Sequence, residues 1–146
     1  MPALDGVRVL DFTQVIFGPA ATQVLADHGA EVIKVERPGG GDLARAFGPW
    51  IQEQSLPFAS LNRSKRSVVL DLEDLRDREC IRSLADRVDV LVEDYQPGHL
   101  MELGLGYEEL RGRNPGLVYV SITPFGQTGP YHSYKGGDFV AQASGS

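Results

Sequence analysis

The chain has 146 residues, with 20 acidic and 14 basic side chains and a net charge of −6. This length fits one domain. The acidic balance disfavours a general nucleic-acid binder, because neutralising phosphates needs a basic face. The one cysteine, Cys80, excludes a disulfide framework and a site made of several thiolates. The three histidines stand far apart and outside any ligand-spaced motif, so we expect no metal site.

Targeting and membrane signals are missing from the sequence. No apolar run approaches the roughly 20 residues of a membrane span. The first residues lack the basic and apolar regions of a signal peptide. The sequence therefore predicts a cytoplasmic protein with no membrane partner.

Short runs of β-branched residues alternate with helical patterns along the chain. Strands are predicted over residues 7–12, 31–36, 67–72, 90–93 and 117–123. Helices are predicted from Gly18 and Pro19 to Gly29, from a cap at Asp71 to residue 88, and more weakly over 99–103, 107–113 and 136–145. This alternation predicts an α/β fold, in which a parallel sheet is covered by helices.

Two further expectations concern the helices. In the helix after Asp71, Cys80 belongs to a predicted apolar stripe, so we expect it to be a small core residue. The sequence ends at Ser146, soon after an apparent helix start. We therefore expect residues 1–146 to be part of a longer domain.

Several candidate binding residues follow predicted strands, and in open α/β sheets ligands bind beyond the carboxyl ends of the strands. The candidates are Val15 and Ile16 after the first strand, Arg37 and a triple glycine after the second, Asp94 and Tyr95 after the fourth, and Lys135 and Asp138 after the fifth. Two cations, an aromatic ring, apolar side chains and helix N-termini could together hold a phosphorylated, partly aromatic ligand.

Each candidate alone also has a plain structural interpretation. Arg37 could be a solvated charge, Tyr95 an ordinary half-buried aromatic residue and the triple glycine a mobile loop. No GxGxxG motif follows the first strand and no P-loop lysine occurs in the sequence. We therefore expect neither a nicotinamide nor a flavin cofactor, and the pattern by itself names no reaction.

Five stretches carry a resemblance to a known family. In chain order they are LDGVRVLDFTQVIFGPAATQVLADHGAEVIKVERPGGGD (4–42), LNRSKRSVVLDL (61–72), DVLVEDYQPG (89–98), LGLGYEELRGRNPGLVYVSITPFGQTGPY (103–131) and GGDFVAQASG (136–145). With them the chain resembles the class III coenzyme A transferases, the family that also includes formyl-CoA transferase, carnitine CoA-transferase and α-methylacyl-CoA racemase. The ordered set covers nearly the whole chain and is far more specific than any single stretch.

The resemblance implies that residues 1–146 are the N-terminal, Rossmann-like part of a larger CoA-transferase fold, with helices on both faces of the sheet and the small domain absent. It implies transfer of coenzyme A from an acyl-CoA to a carboxylic acid through an aspartyl-CoA intermediate, in an interlocked homodimer. The nucleophilic aspartate is expected beyond Ser146. Asp138 matches an acidic position near the active site, where it would be an accessory acid. The positions that match coenzyme A contacts are Val15, Ile16, Arg37, Leu70, Asp94, Tyr95 and Lys135.

Two positions depart from patterns within the family. Ile16 stands where the formyl-CoA transferases have glutamine, and Gly137 stands where the racemases have histidine. Two alternatives to a transferase remain open at this point. One is an acyl-CoA racemase of the same family, which a histidine in place of Gly137 would have favoured. The other is a non-catalytic module that binds coenzyme A.

Overall fold

The computed structural model describes residues 1–144, apart from the side chains of Asp138, Ala141 and Ser144. Its strands are β1 (Arg8–Asp11), β2 (Glu31–Glu36), β3 (Trp50–Ile51), β4 (Gln54–Ser55), β5 (Arg66–Val69), β6 (Val90–Glu93) and β7 (Val118–Ser121). Its helices are α1 (Phe17–Asp27), α2 (Leu56–Leu61), α3 (Leu75–Ala85), α4 (His99–Glu102), α5 (Tyr107–Arg113) and α6 (Asp138–Ser144), with a 3-10 helix at Leu43–Ala46.

Five strands form one parallel sheet in the order β5-β2-β1-β6-β7. The chain builds outward from β1 to β2 and β5, and then returns to the other side of β1 for β6 and β7. The order in which successive strands are added to the sheet therefore reverses between β1 and β6, and we call this place the reversal point. All five strands point the same way, so the loops that follow them meet at one edge of the sheet, which we call the carboxyl edge.

Each face of the sheet has its own core, because alternate residues of a strand point to opposite faces. On one face, Leu10 and Leu91 pack with residues of α3, α4 and α5 such as Ile81. On the other face, Val9 and Val32 pack with residues of α1 such as Ala26. The predicted α/β fold, with helices on both faces of a parallel sheet, is confirmed.

Two local expectations about α3 are wrong. Asp71 does not cap the helix, because its Oδ1 accepts the Glu73 amide at 3.0 Å in a turn that precedes α3. The cap is Asp74, whose Oδ1 accepts the amides of Arg76 and Asp77. Cys80 is exposed, because Ile81 and Ala85 form the buried face of α3 and Cys80 lies outside that face.

The polar stretch between β2 and β5 has more structure than its composition suggests. It contains the 3-10 helix, the β3–β4 hairpin and α2, which is capped by the Ser55 hydroxyl. The hairpin leaves Trp50 and Ile51 exposed. No helix within residues 1–144 is long and apolar enough to cross a membrane. The predicted last helix is present as α6, although residues 145 and 146 lie outside the described part of the chain.

Candidate functional site

In open α/β sheets, ligands bind where the strand order reverses, because the loops on the two sides of that place diverge. In this sheet the place lies between β1 and β6. The loop after β1 holds Val15 and Ile16, and the loop after β6 holds Asp94 and Tyr95. A hydrogen bond joins the two loops across the reversal point, from the Gln14 amide to Asp94 Oδ2 at 2.8 Å. Four of the predicted site residues therefore flank the reversal point.

The loop after β1 has an unusual backbone. Val15 adopts a φ of 68°, the left-handed region that a β-branched residue rarely enters. Just beyond it, the start of α1 packs closely on the end of β1, and a Cβ at Gly18 would lie 2.2 Å from Thr13 Cβ. Only glycine allows this approach. This close packing restricts the backbone conformation of the loop, and Ile16 and Phe17 are exposed at its end.

A buried ion pair lies beneath this loop. The Lys65 ammonium, on a side chain that is 1% exposed, lies 3.1 Å from Asp11 Oδ2 at the end of β1. It also donates to Pro19 O, Thr22 Oγ1 and Asn62 Oδ1. Burial lowers the pKa of Lys65, and the Asp11 carboxylate opposes that shift. The pair ties the end of β1 to α1 and to the segment that leads into β5.

A second buried pair lies on the β2 side. Lys34 Nζ is 2.8 Å from Asp42 Oδ2, at an angle that does not meet hydrogen-bond geometry, and it donates to Thr13 O at 2.7 Å. The other Asp42 oxygen, Oδ1, accepts the amides of Val15 at 3.0 Å and Ala44 at 2.8 Å. Asp42 therefore contacts both the loop after β1 and the start of the 3-10 helix.

Glu36, the last residue of β2, organises the loop that carries Arg37. Its carboxylate accepts from both Nε and Nη2 of Arg45, from the Ser67 hydroxyl and from the Asp42 amide. Burial opposes ionisation of Glu36, but these hydrogen bonds outweigh it and lower its pKa to about 2. The carboxylate is therefore ionised throughout the physiological range.

The loop after β6 carries groups whose protons are held more tightly than usual. Burial raises the pKa of Asp94 to about 6, with the Asp11 carboxylate adding to the rise and the Gln14 amide opposing it. Burial also raises the pKa of Tyr95 to about 12, helped by Asp94 and Glu93 and opposed by Arg37. The Tyr95 ring lies 5.1 Å from the His99 ring. Its hydroxyl is a hydrogen-bond donor at neutral pH, within the field of Arg37.

The other predicted residues lie in different settings. Arg37 is exposed, and its Nε donates to Gly41 O at 3.1 Å. Lys135 is exposed on the loop after β7, next to Gly136, where a Cβ would lie 2.2 Å from Pro124 Cγ. Leu70 is buried in the core and 8% exposed. The Asp138 side chain lies outside the part of the chain that the structure describes, although its backbone begins α6.

A groove lies next to the loop after β6 and is lined by Glu93 and Gln96, which stand on either side of Asp94 and Tyr95. It has a volume of about 1110 Å³ and opens between α4, α5 and β7, beside Met101, Tyr107 and Tyr119. Among the described residues, none of the predicted contacts lines it. Among the side chains that the structure describes, no group of three or more His, Cys, Asp or Glu could bind a metal ion.

Comparison with known proteins identifies the family. The model of CoA-transferase family III matches residues 4–146. The chain belongs to CoA-transferase family III. The match runs through every strand of the parallel sheet and through all the loops at its carboxyl edge.

Curated relatives and solved structures agree with this membership. The chain is 49% identical over 144 residues to the succinyl-CoA:glutarate CoA-transferase of Mus musculus, covering 98% of this chain and 33% of that protein. It is 46% identical over 139 residues to the acetyl-CoA:oxalate CoA-transferase of Acetobacter aceti, covering 95% and 36%. A crystal structure of a CAIB/BAIF family protein from Brucella suis superposes with a TM-score of 0.93 at 41% identity, covering 98% and 39%. The chain thus spans about a third of the length of the curated relatives it matches.

The buried charges of the site were not predicted from the sequence. Lys34, Asp42 and Lys65 contact the loops, yet none of them is among the residues predicted to contact coenzyme A. A signal was available for Lys34, which interrupts the apolar residues of β2, an interior strand of a parallel sheet whose two faces are both covered. Asp42 follows three glycines and Lys65 stands among polar residues, and at neither position does the pattern separate a buried charge from a solvated one.

Proposed function

We propose that the full-length protein transfers coenzyme A from an acyl-CoA thioester to a carboxylic acid acceptor. The observation that carries this proposal is the match of CoA-transferase family III to residues 4–146. The names of the relatives at 45–49% identity support it, since they describe transfer of coenzyme A between carboxylic acids.

The proposed chemistry is covalent catalysis by a carboxylate that the family resemblance implies beyond Ser146. This carboxylate attacks the acyl carbon of the thioester, the C–S bond breaks, and coenzyme A leaves as a thiolate. The thiolate then attacks the aspartyl carbon of the mixed anhydride, which releases the donor acid and forms an aspartyl-CoA thioester. The acceptor carboxylate runs the same two steps in reverse, so no water is consumed.

Within this chain we assign coenzyme A to the carboxyl edge. Arg37 and Lys135 are exposed cations, and such groups bind phosphates. Ile16 offers apolar surface beside the reversal point, and the protonated Tyr95 hydroxyl offers a hydrogen-bond donor. Asp138 is proposed as an accessory acid.

Contact of coenzyme A with Val15, Leu70 and Asp94 is part of the same proposal. Leu70 would have to reach the ligand from its place in the core, and Asp94 already accepts a hydrogen bond from the loop after β1. We also propose that the full-length protein is a homodimer, as the family resemblance implies, and that it is cytoplasmic, as the sequence analysis predicts.

The test is an assay of the purified full-length protein with acyl-CoA donors and a panel of carboxylic acids, in which the new acyl-CoA is separated by chromatography. We expect transfer without net hydrolysis. A racemase would instead exchange the α-hydrogen of a branched acyl-CoA with deuterium from solvent, and a binding module would bind coenzyme A without turnover. Either result would replace the proposal. The 146-residue chain alone should show no transfer, because it lacks the proposed nucleophile.

A further inference from the structure

The loop after β1 is held at three successive backbone groups. Lys34 Nζ donates to Thr13 O at 2.7 Å, Asp94 Oδ2 accepts the Gln14 amide at 2.8 Å, and Asp42 Oδ1 accepts the Val15 amide at 3.0 Å. The three side chains come from β2, from the loop after β6 and from the loop after β2. We call this arrangement the three-point clamp.

The clamp acts where the backbone needs support. A valine at a φ of 68° is disfavoured sterically, so its conformation persists only where the surroundings impose it. Two neighbouring amides are directed at two different carboxylates, which fixes the orientation of the peptide planes on either side of Gln14. This orientation determines where Ile16 emerges at the carboxyl edge.

Asp42 is the member of the clamp that links most elements. Its residue is 2% exposed, its Oδ1 serves both Val15 and Ala44, and its own amide donates to Glu36 Oε2 at 2.9 Å. Glu36 is followed directly by Arg37. Lys34 supplies the positive charge that a carboxylate buried at this depth needs.

We propose that Asp42 is a positioning residue for coenzyme A binding, which fixes the loop that carries Ile16 relative to the loop that carries Arg37. Asp42 does not touch the ligand itself, since the residue is 2% exposed and its carboxylate faces the Lys34 ammonium and the amides of Val15 and Ala44. This inference rests on the proposed function, because it assumes that both loops contact coenzyme A.

The test uses Asp42→Ala and Asp42→Asn in the full-length protein, with Asp89→Ala as the matched control. Asp89 Oδ2 also accepts a backbone amide, that of Arg8 at 2.8 Å, but at the opposite edge of the sheet. Two quantities are measured: the amide hydrogen exchange of Val15 relative to Leu91 in β6, and the Kd for coenzyme A by titration calorimetry.

For Asp42→Ala we expect the exchange of Val15 to rise selectively and the Kd to rise, each by about ten-fold or more, as for a lost hydrogen bond to a charged group. Asp42→Asn keeps an acceptor for the Val15 amide, and because charge-assisted bonds are about twice as strong as neutral ones, its Kd should rise only about three-fold. If Asp42→Ala does not fold, Asp42→Asn is used instead, and we expect the amide exchange of Val15 to rise selectively in that variant. Asp89→Ala should leave both quantities unchanged.

Two results would overturn the inference. One is unchanged exchange at Val15 in Asp42→Asn and in folded Asp42→Ala. The other is a Kd that stays constant while exchange at Val15 rises, which would mean that the loop position does not matter to the ligand. Failure of the proposed function looks different, since the unaltered protein would then not bind coenzyme A, while the exchange measurement would still report whether Asp42 holds the loop.

Discussion

Substitution of Lys65 by methionine should test the energetic role of the buried charges under the site. The substitution keeps most of the apolar stem and removes the ammonium. It leaves the Asp11 carboxylate, on a side chain that is 0% exposed, without its cation, and it leaves Pro19 O, Thr22 Oγ1 and Asn62 Oδ1 each short of one donor. Breaking a buried ion pair from one side costs about 3–5 kcal/mol, chiefly because a buried charge is left uncompensated.

The next residue in the chain supplies the matched control. Arg66 also pairs with a carboxylate, that of Glu31, but the two side chains are 77% and 45% exposed. Exposed pairs of this kind contribute about 0–1 kcal/mol. Arg66→Ala should therefore lower the free energy of unfolding by about 1 kcal/mol at most.

Urea denaturation of the variants at neutral pH measures the difference. With a slope of about 2 kcal/mol/M, Lys65→Met should lower the midpoint by about 2 M, and Arg66→Ala by less than about 0.5 M. Adding Asp11→Asn to Lys65→Met removes the uncompensated charge and should recover part of the loss. If Lys65→Met is no more destabilising than Arg66→Ala, the reasoning about the buried pair is wrong.

Three further measurements test the site. Arg37→Ala in the full-length protein should weaken coenzyme A binding by about 1.5–3 kcal/mol, the range for a hydrogen bond to a charged group, and an unchanged affinity in calorimetry would make Arg37 a solvated surface charge. The pKa of Glu36 is about 2 instead of 4.5, so its ionised form stabilises the fold. This stabilisation should be lost as the pH falls from 4.5 through 2. Arg45→Gln should make the free energy of unfolding depend less on pH in this range. The pKa of Asp94 shifts in the opposite direction, from 3.8 to about 6. The free energy of unfolding should therefore fall as the pH rises from 4 through 6, and Asp94→Asn should remove this pH dependence.

The sheet was predictable because each of its five strands contains valine or isoleucine within a short apolar segment. The short elements were not. Two-residue strands such as Trp50–Ile51 have no periodicity to detect, and they depend on pairing with Gln54–Ser55. At α3 the sequence analysis predicted Asp71 as the cap, but Asp71 forms a turn before the helix, and Asp74 is the cap.

The site divides in a similar way. The sequence predicted that Val15, Ile16, Asp94 and Tyr95 follow strands and therefore lie at the same edge of the sheet. The reversal of strand order that makes the loops after β1 and β6 neighbours is seen only in the structure. The contacts that hold those loops are long-range, as between Asp42 and Val15, and they join charged side chains to backbone amides. Every residue except proline has a backbone amide, so a pattern of residue types cannot show which amide a charged side chain contacts.

The three-point clamp holds main-chain atoms only, namely one carbonyl and two amides. The course of the loop therefore depends little on the exposed side chain at position 16, because Ile16 contributes its backbone carbonyl, which accepts the Ala20 amide at 2.8 Å. Substitutions there can change the shape and polarity offered to an incoming molecule while the backbone keeps its path. Under the proposed function, position 16 is accordingly a place where the surface offered to coenzyme A can be varied, whereas substitution of Asp42, Lys34 or Asp94 should move the loop itself.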